Sequence, residues 1–120
     1  MTNAIVGWKL DRSERDTLLR NLPPRYAEVV ADHVTLKVGR EELPGDVCAA
    51  IVGHVDDNAG VEAMVVTIDG TTDRPDGSTY HITWSLGPGR KAKESNDVLK
   101  AGGWNELDRS IPITLTPSYL

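Results

Sequence analysis

The 120 residues of this chain are 39% hydrophobic and 26% charged, which is typical of one globular domain with its own core. The formal net charge of −5 argues against broad, non-specific binding to a nucleic-acid backbone, although a locally basic cleft could take a small anion. The single cysteine, Cys48, suggests a reducing compartment, and its apolar neighbours predict a buried, inert thiol. No signal-peptide pattern or membrane-spanning stretch occurs, so a cytoplasmic location is expected.

Alternation and capping signals predict the elements of the first third of the chain. Residues 4–10 are predicted to form a strand. Ser13 is predicted to start a helix that ends before Pro23 and the proline after it. Residues 25–31 give an ambiguous pattern, with one helical turn as an interpretation. Residues 32–38 alternate and are predicted to form a second strand.

The remaining two thirds of the chain contain further strand patterns separated by turn residues. Asn and Gly in DNAG favour a hairpin between two apolar strands, because both tolerate positive φ. Ser95 is expected to cap a short helix. In chain order, the predicted elements are strands 47–56 and 61–69, a turn at 71–78, a strand at 79–86, a basic loop at 87–94, a helix at 96–102 and a strand at 110–116. Together these indicate one α+β domain, residues 1–120, with antiparallel sheet.

A short internal repeat is the most specific feature of the sequence. HVTLKVG (33–39) and HITWSLG (81–87) share His, a β-branched residue, Thr, two variable residues, Val or Leu, and Gly, and an arginine follows each, Arg40 and Arg90. In a strand the His and the Thr of such a triplet lie on one face, about 6.5–7 Å apart. A duplication would place the two strands side by side about a pseudo-twofold axis, with both His-x-Thr pairs lining a central groove.

Each His-x-Thr triplet can also be explained by structure alone. Threonine is a good strand former, and an exposed histidine on a strand needs no functional explanation. For one triplet alone the structural interpretation is favoured. For two triplets on matching faces of matching strands, the functional interpretation is favoured.

Two histidines and two threonines around one groove suit phosphodiester chemistry. A neutral imidazole can remove a proton from an attacking water, and an imidazolium can protonate the leaving oxygen. Threonine hydroxyls can donate hydrogen bonds to the non-bridging oxygens as charge builds up in the transition state. This set of groups needs no metal and suits the in-line opening of a cyclic phosphate.

The HVTL and HITW strands resemble the two signature motifs of the two-histidine (2H) phosphoesterase superfamily. YHITWSL with its trailing basic loop is most similar to the cyclic phosphodiesterase domains of RNA-repair and tRNA-ligase proteins. The resemblance implies a compact, two-lobed, pseudo-twofold α+β fold and metal-independent opening of 2′,3′-cyclic phosphates, usually to a 2′-phosphate. It implies that His33 and His81 are catalytic, and that Thr35 and Thr83 bind phosphate. Related enzymes act on 2′–5′ linkages and on cyclic oligonucleotide signals, so the substrate stays open.

Four other residues are candidate substrate contacts. Lys37 shares a face with the first His-x-Thr pair, and Arg90 and Lys91 belong to the basic loop after the second. Tyr80 precedes the second motif, although its alternation favours core packing over base stacking. A zinc site of all three histidines, including His54, lacks the close ligand spacing of known zinc motifs.

The sequence therefore predicts a hydrolase of the phosphodiesterase class without cofactor or metal. Its expected partner is a small nucleotide or an RNA 3′ end carrying a cyclic phosphate, with no membrane, no extended nucleic-acid surface and a monomeric state. The rival prediction is a non-catalytic module that captures a nucleotide or an RNA end. A small structural domain with chance triplets is the third alternative, and it predicts no groove.

Overall fold

The computed structural model describes residues 4–40 and 42–120. In chain order, the elements of these residues are β1 (Ile5–Leu10), α1 (Arg12–Asn21), β2 (Glu28–Val29), β3 (His33–Val38), β4 (Ala49–Asp56), β5 (Val61–Ile68), β6 (His81–Leu86), α2 (Glu94–Gly102), β7 (Asn105–Ile113) and β8 (Leu115–Tyr119). The strands form two antiparallel sheets, one of order β3-β1-β8 and one of order β2-β6-β5-β4-β7. The predicted α+β class with antiparallel sheet is confirmed.

The main core draws residues from both sheets. Trp8 and Val34 come from the first sheet, and Met64, Ile82 and Trp84 come from the second. A smaller cluster contains Val55, Ala63, Val65 and Leu99, which place the apolar face of α2 against β4 and β5. The five-stranded sheet is therefore covered on both faces.

Strand β6 is buried on both of its faces. All six of its residues are buried, including the polar His81, Thr83 and Ser85. Ile82 and Trp84 pack in the main core, while Thr83 contacts Ser95 of α2 with 2.9 Å between the two hydroxyl oxygens. Ser95 thus lies inside the first turn of the helix, which begins at Glu94, and does not cap it as predicted.

Residues 25–31 form neither a helix nor an independent loop, so the interpretation as a helical turn is wrong. Strand β2 pairs with the end of β6, and the next two amides, of Val30 and Ala31, donate to the carbonyls of Trp84 and Thr83. The chain then changes sheets, since Asp32 accepts a backbone hydrogen bond from Leu10 of β1. Ala31, buried with a φ of 42°, makes this change of direction.

The crossing at Ala31 positions β3. A backbone hydrogen bond joins Ala31 to Thr83, and His33 follows only two residues later. Gly7 of β1 lies against β3 so closely that an added Cβ would come within 2.1 Å of the Val34 carbonyl oxygen. Backbone pairing and close packing therefore fix β3 beside β6.

Three smaller predictions differ from the structure. Asp11, not Ser13, is the N-cap of α1, because its carboxylate accepts the Glu14 amide. The single strand predicted at 110–116 is two strands, which belong to different sheets and separate at Thr114. Cys48 is exposed rather than buried, since it lies just before β4 begins.

The predicted hairpin between β4 and β5 is confirmed. Asn58 and Gly60 adopt φ values of 58° and 105°, the positive values that the DNAG segment was expected to tolerate. Neither of the helices in the described ranges is long and apolar enough to cross a membrane. The cytoplasmic location stays a prediction.

Candidate functional site

A cavity of about 270 Å³ lies where β3, β6, the turn at 71–78 and the start of α2 meet. Both His-x-Thr pairs line it. The polar side chains in its wall include His33, Thr35, Arg74, His81, Thr83 and Lys93. The two motifs, 48 residues apart in sequence, therefore share one cavity.

His81 is the more buried of the two histidines, with 9% of its surface exposed. Its Nδ1 lies 2.8 Å from the carbonyl oxygen of Thr79. A carbonyl only accepts, so Nδ1 carries the proton, and in the neutral ring Nε2 is the basic nitrogen. Burial lowers the pKa of His81, as do the positive charges of Arg74 and His33, while the hydrogen bond to Thr79 opposes them. His81 is therefore disposed to be neutral near pH 7.

His33 has a different neighbour, a carboxylate. Its Nδ1 lies 3.1 Å from Oδ2 of Asp32, whose Oδ1 accepts from Arg12 at 3.0 Å. Partial burial opposes ionisation of Asp32, but the hydrogen bonds from His33 and Arg12 hold its pKa below the ordinary value. The ionised carboxylate orients the ring of His33 and leaves its Nε2 as the nitrogen without a partner in the described chain.

The two threonines are not equivalent. The Thr83 hydroxyl donates to the carbonyl of Ala92 at 3.2 Å and lies 2.9 Å from Oγ of Ser95. A hydroxyl has one proton, so that of Thr83 is already used to hold the start of α2 on β6. The Thr35 hydroxyl has no hydrogen-bond partner among residues 4–40 and 42–120, and it is the hydroxyl that a ligand could engage without breaking a contact.

Sequence reasoning missed Arg74, which lies in the cavity wall. Arg74 belongs to the Pro- and Gly-containing turn at 71–78, where alternation carries no information about side-chain direction. Lys93 belongs to the predicted basic loop, and it is the charged residue of that loop that lines the cavity. A single arginine in a turn gives no sequence signal that could have identified it.

The four candidate substrate contacts do not line this cavity. Lys37 is exposed near the end of β3, and Tyr80 packs in the core, where its ring contacts Trp8 edge to face at 6.2 Å between centroids. Arg90 is paired with Asp57 and Glu94. Lys91 is exposed on the loop, where its amide donates to Glu94.

His54 lies apart from the other two histidines. Its Nε2 is 2.8 Å from the buried carboxylate of Glu62, in the wall of a different cavity of about 310 Å³. In the described part of the chain, no group of three or more His, Cys, Asp or Glu side chains could hold a metal ion. The three histidines therefore do not form a common cluster.

The structure thus defines an α+β protein with two antiparallel sheets and a histidine-lined cavity at their junction. Comparison with protein-family models, curated proteins and solved structures finds no match to this chain.

Proposed function

We propose that this protein opens 2′,3′-cyclic phosphates of nucleotides or RNA ends by metal-independent acid–base catalysis. The observation that carries the proposal is that His33, Thr35, His81 and Thr83 line one cavity. The two strands that supply them belong to different sheets and contact each other. We interpret the sheets as two lobes related by a pseudo-twofold axis, with the cavity as the groove between them.

The surroundings of the two histidines favour His81 as the base and His33 as the acid. Nε2 of neutral His81 takes a proton from water as the water oxygen forms a bond to phosphorus. The bond from phosphorus to one ribose oxygen breaks, and that oxygen takes a proton from Nε2 of the His33 imidazolium. The Asp32 carboxylate compensates the positive charge at His33. Each positioned proton transfer contributes about 10²–10⁴-fold to such a reaction.

Charge in the cavity wall supports an anionic substrate. Arg74 and Lys93 bring two cations to a cavity of an otherwise acidic protein. Asp32, the carboxylate next to the cavity, is paired with Arg12 and His33. The Thr35 hydroxyl supplies a donor for a non-bridging phosphate oxygen, as the excess charge of a transition state requires.

The rival candidate is a module that binds a nucleotide or RNA end without turnover. The same two cations favour it, because they attract an anion whether or not a reaction follows. A binder would take up its ligand more tightly as His33 and His81 become protonated, and it would release no product at any pH.

A substrate panel in excess EDTA tests the proposal. The panel contains 2′,3′-cyclic mononucleotides, short RNAs with cyclic ends, 2′–5′-linked oligonucleotides and cyclic oligonucleotides. We expect turnover of a terminal cyclic phosphate with a bell-shaped pH dependence, whose limbs belong to the histidine pair jointly. Absence of turnover for every substrate would contradict the proposal, and activity restored only by Zn²⁺ would replace it with a metal mechanism.

A further inference from the structure

Arg74 is the least expected residue of the cavity. It projects from the turn at 71–78, is 9% exposed, and lines the cavity with both histidines. Guanidinium keeps its charge at neutral pH, and burying it is unfavourable unless anions or acceptors compensate it. The partners of Arg74 therefore show whether its charge is fully used by the fold.

The turn that carries Arg74 is tightly built. The Arg74 amide donates to the Ser78 carbonyl, and the Gly77 amide donates to the Arg74 carbonyl, both at 2.9 Å. Asp76 Oδ1 accepts from the Ser78 amide and from Nε of Arg74, at 2.9 and 3.2 Å. Hydrogen bonds from Ser78, and then the contact with Arg74, lower the pKa of Asp76 to about 2. The guanidinium is thus held in place by its own turn.

The two terminal nitrogens of the guanidinium reach the elements on either side of the cavity. One donates to the side-chain oxygen of Asn96 at 3.1 Å, and the other lies 3.4 Å from the carbonyl oxygen of Thr35. With the bond from Nε to Asp76, three of the five N–H groups are used. The described residues leave one N–H on each terminal nitrogen without a partner.

We propose that Arg74 binds the anionic group of the ligand in this cavity through those two N–H groups. Two donors in a fixed plane match the oxygens of a phosphate mono- or diester, which is the chemical class we assign to the ligand. Arg74 is then a substrate-contacting residue outside both His-x-Thr motifs. Its part in turnover rests on the proposed function, but its binding of the anion does not.

Inorganic phosphate is the probe for this site, because it tests anion binding without requiring a reaction. Titration calorimetry compares the wild type with Arg74→Gln, which removes the charge but keeps much of the side-chain length. We expect the dissociation constant to rise about 10-fold to 100-fold, the effect of losing charge-assisted hydrogen bonds. The matched control is Arg109→Gln, because Arg109 is exposed on β7, which two strands, β5 and β4, separate from β6.

A structural role of Arg74 makes a different prediction. Asp76→Asn removes the ion pair that holds the guanidinium but leaves its charge, so phosphate affinity should fall much less than in Arg74→Gln. Equal losses in these two variants would mean that Arg74 acts only by holding the turn, and would overturn the proposal. Should Arg74→Gln fail to fold, NMR of the wild type decides: phosphate must shift the guanidinium N–H resonances of Arg74 and not those of Arg109.

Kinetics on a cyclic phosphate separate this inference from the proposed function. Arg74→Gln should raise KM and also shift the bell-shaped pH–rate profile to higher pH, since the Arg74 charge opposes protonation of His81. The other charged groups in the cavity wall, His33 and Lys93, are unchanged in the variant. Phosphate binding that depends on Arg74 without turnover would sustain the inference and contradict the proposed function. If Arg74→Gln leaves both turnover and phosphate affinity unchanged, the proposed function is sustained and the inference about Arg74 is contradicted.

Discussion

Strand β6 carries two buried polar clusters, one at each end, and they differ in how completely they are satisfied. At the end of the strand, Ser85 and the amide of Arg25 donate to Oε1 of Glu62 at 2.6 and 2.9 Å, and His54 lies 2.8 Å from Oε2. At the start of the strand, His81 uses one ring nitrogen and leaves the other without a partner in the described chain.

The cluster around Glu62 therefore stabilises the fold, whereas the cluster around His81 still has hydrogen-bonding groups that a ligand could engage. Glu62 is 1% exposed, so its charge is tolerated only because every oxygen has partners. Around His81 the unused groups, Nε2 of that ring, the Thr35 hydroxyl and two N–H groups of Arg74, belong to residues lining a single cavity. Unused hydrogen-bonding capacity, rather than burial or charge, therefore distinguishes the candidate site from the structural network.

The largest expected effect is on turnover, and it uses all three histidines. His33→Gln and His81→Gln should each lower kcat/KM for a cyclic phosphate at least about 100-fold, because each removes a positioned proton transfer. His54→Gln is the matched control, since His54 lies in the other cluster. If kcat/KM falls by a similar factor in all three variants, the loss reflects reduced stability of the fold and not a loss of proton transfer at the cavity.

The second effect is on stability, and here the larger loss should come from the Glu62 cluster rather than from the His81 cluster. Glu62→Ala leaves the Ser85 hydroxyl and the Arg25 amide without their acceptor, at a cost of about 1–3 kcal/mol for each buried group. Urea unfolding should therefore show a loss of several kcal/mol. His81→Ala should cost less than Glu62→Ala, and the opposite order would mean that the start of β6 is the structural cluster.

The third effect divides the two threonines within the site. Thr35→Ala should lower the rate about 10-fold or more while leaving the unfolding midpoint nearly unchanged, because its hydroxyl has no partner to lose in the described residues. Thr83→Ala should lower stability by about 1 kcal/mol, since its hydroxyl holds α2 through Ala92 and Ser95. Measuring both quantities on both variants checks this, and a stability loss confined to Thr35→Ala would contradict the assignment.

The smallest effect is a change in the pH dependence of stability, at most about 1.4 kcal/mol per pH unit for each proton. Burial lowers the pKa of His81 below its ordinary 6.5, so the unfolded chain binds its proton first and stability falls as the pH drops below 6.5. Burial opposes ionisation of Glu62, but the hydrogen bonds from His54 and Ser85 lower its pKa below 4.5. Its contribution is therefore present above pH 4.5 and is lost as the pH falls through the folded pKa.

Chemical unfolding at a series of pH values separates the two clusters. His81→Gln should flatten the profile just below pH 6.5, and Glu62→Gln should flatten it only below pH 4.5. If His81→Gln leaves the slope just below pH 6.5 unchanged, burial of His81 does not control stability there, and the contrast between the two clusters is weaker than the contacts indicate.

Periodic patterns in the sequence determined the larger elements. Alternation identified β1, β3 and β6, and the DNAG segment identified the hairpin after β4, because these signals depend only on neighbours in the chain. The same alternation placed His33 with Thr35 and His81 with Thr83, four of the residues that line the cavity. Local patterning thus sufficed to select the candidate site.

Tertiary structure decided which sheet faces are buried, which segment pairs with the edge of β6, and where the side chain of Arg74 lies. Residues 25–31 have no strand pattern of their own, yet they extend along β6 because its edge offers unpaired backbone groups, and Ala31 then redirects the chain beside Thr83. Thr83, on the odd face of β6, is buried where Ser95 of α2 meets it, which no local pattern reveals. Arg74 enters the cavity from a turn, where direction is set by hydrogen bonds to distant partners such as Asn96 rather than by periodicity.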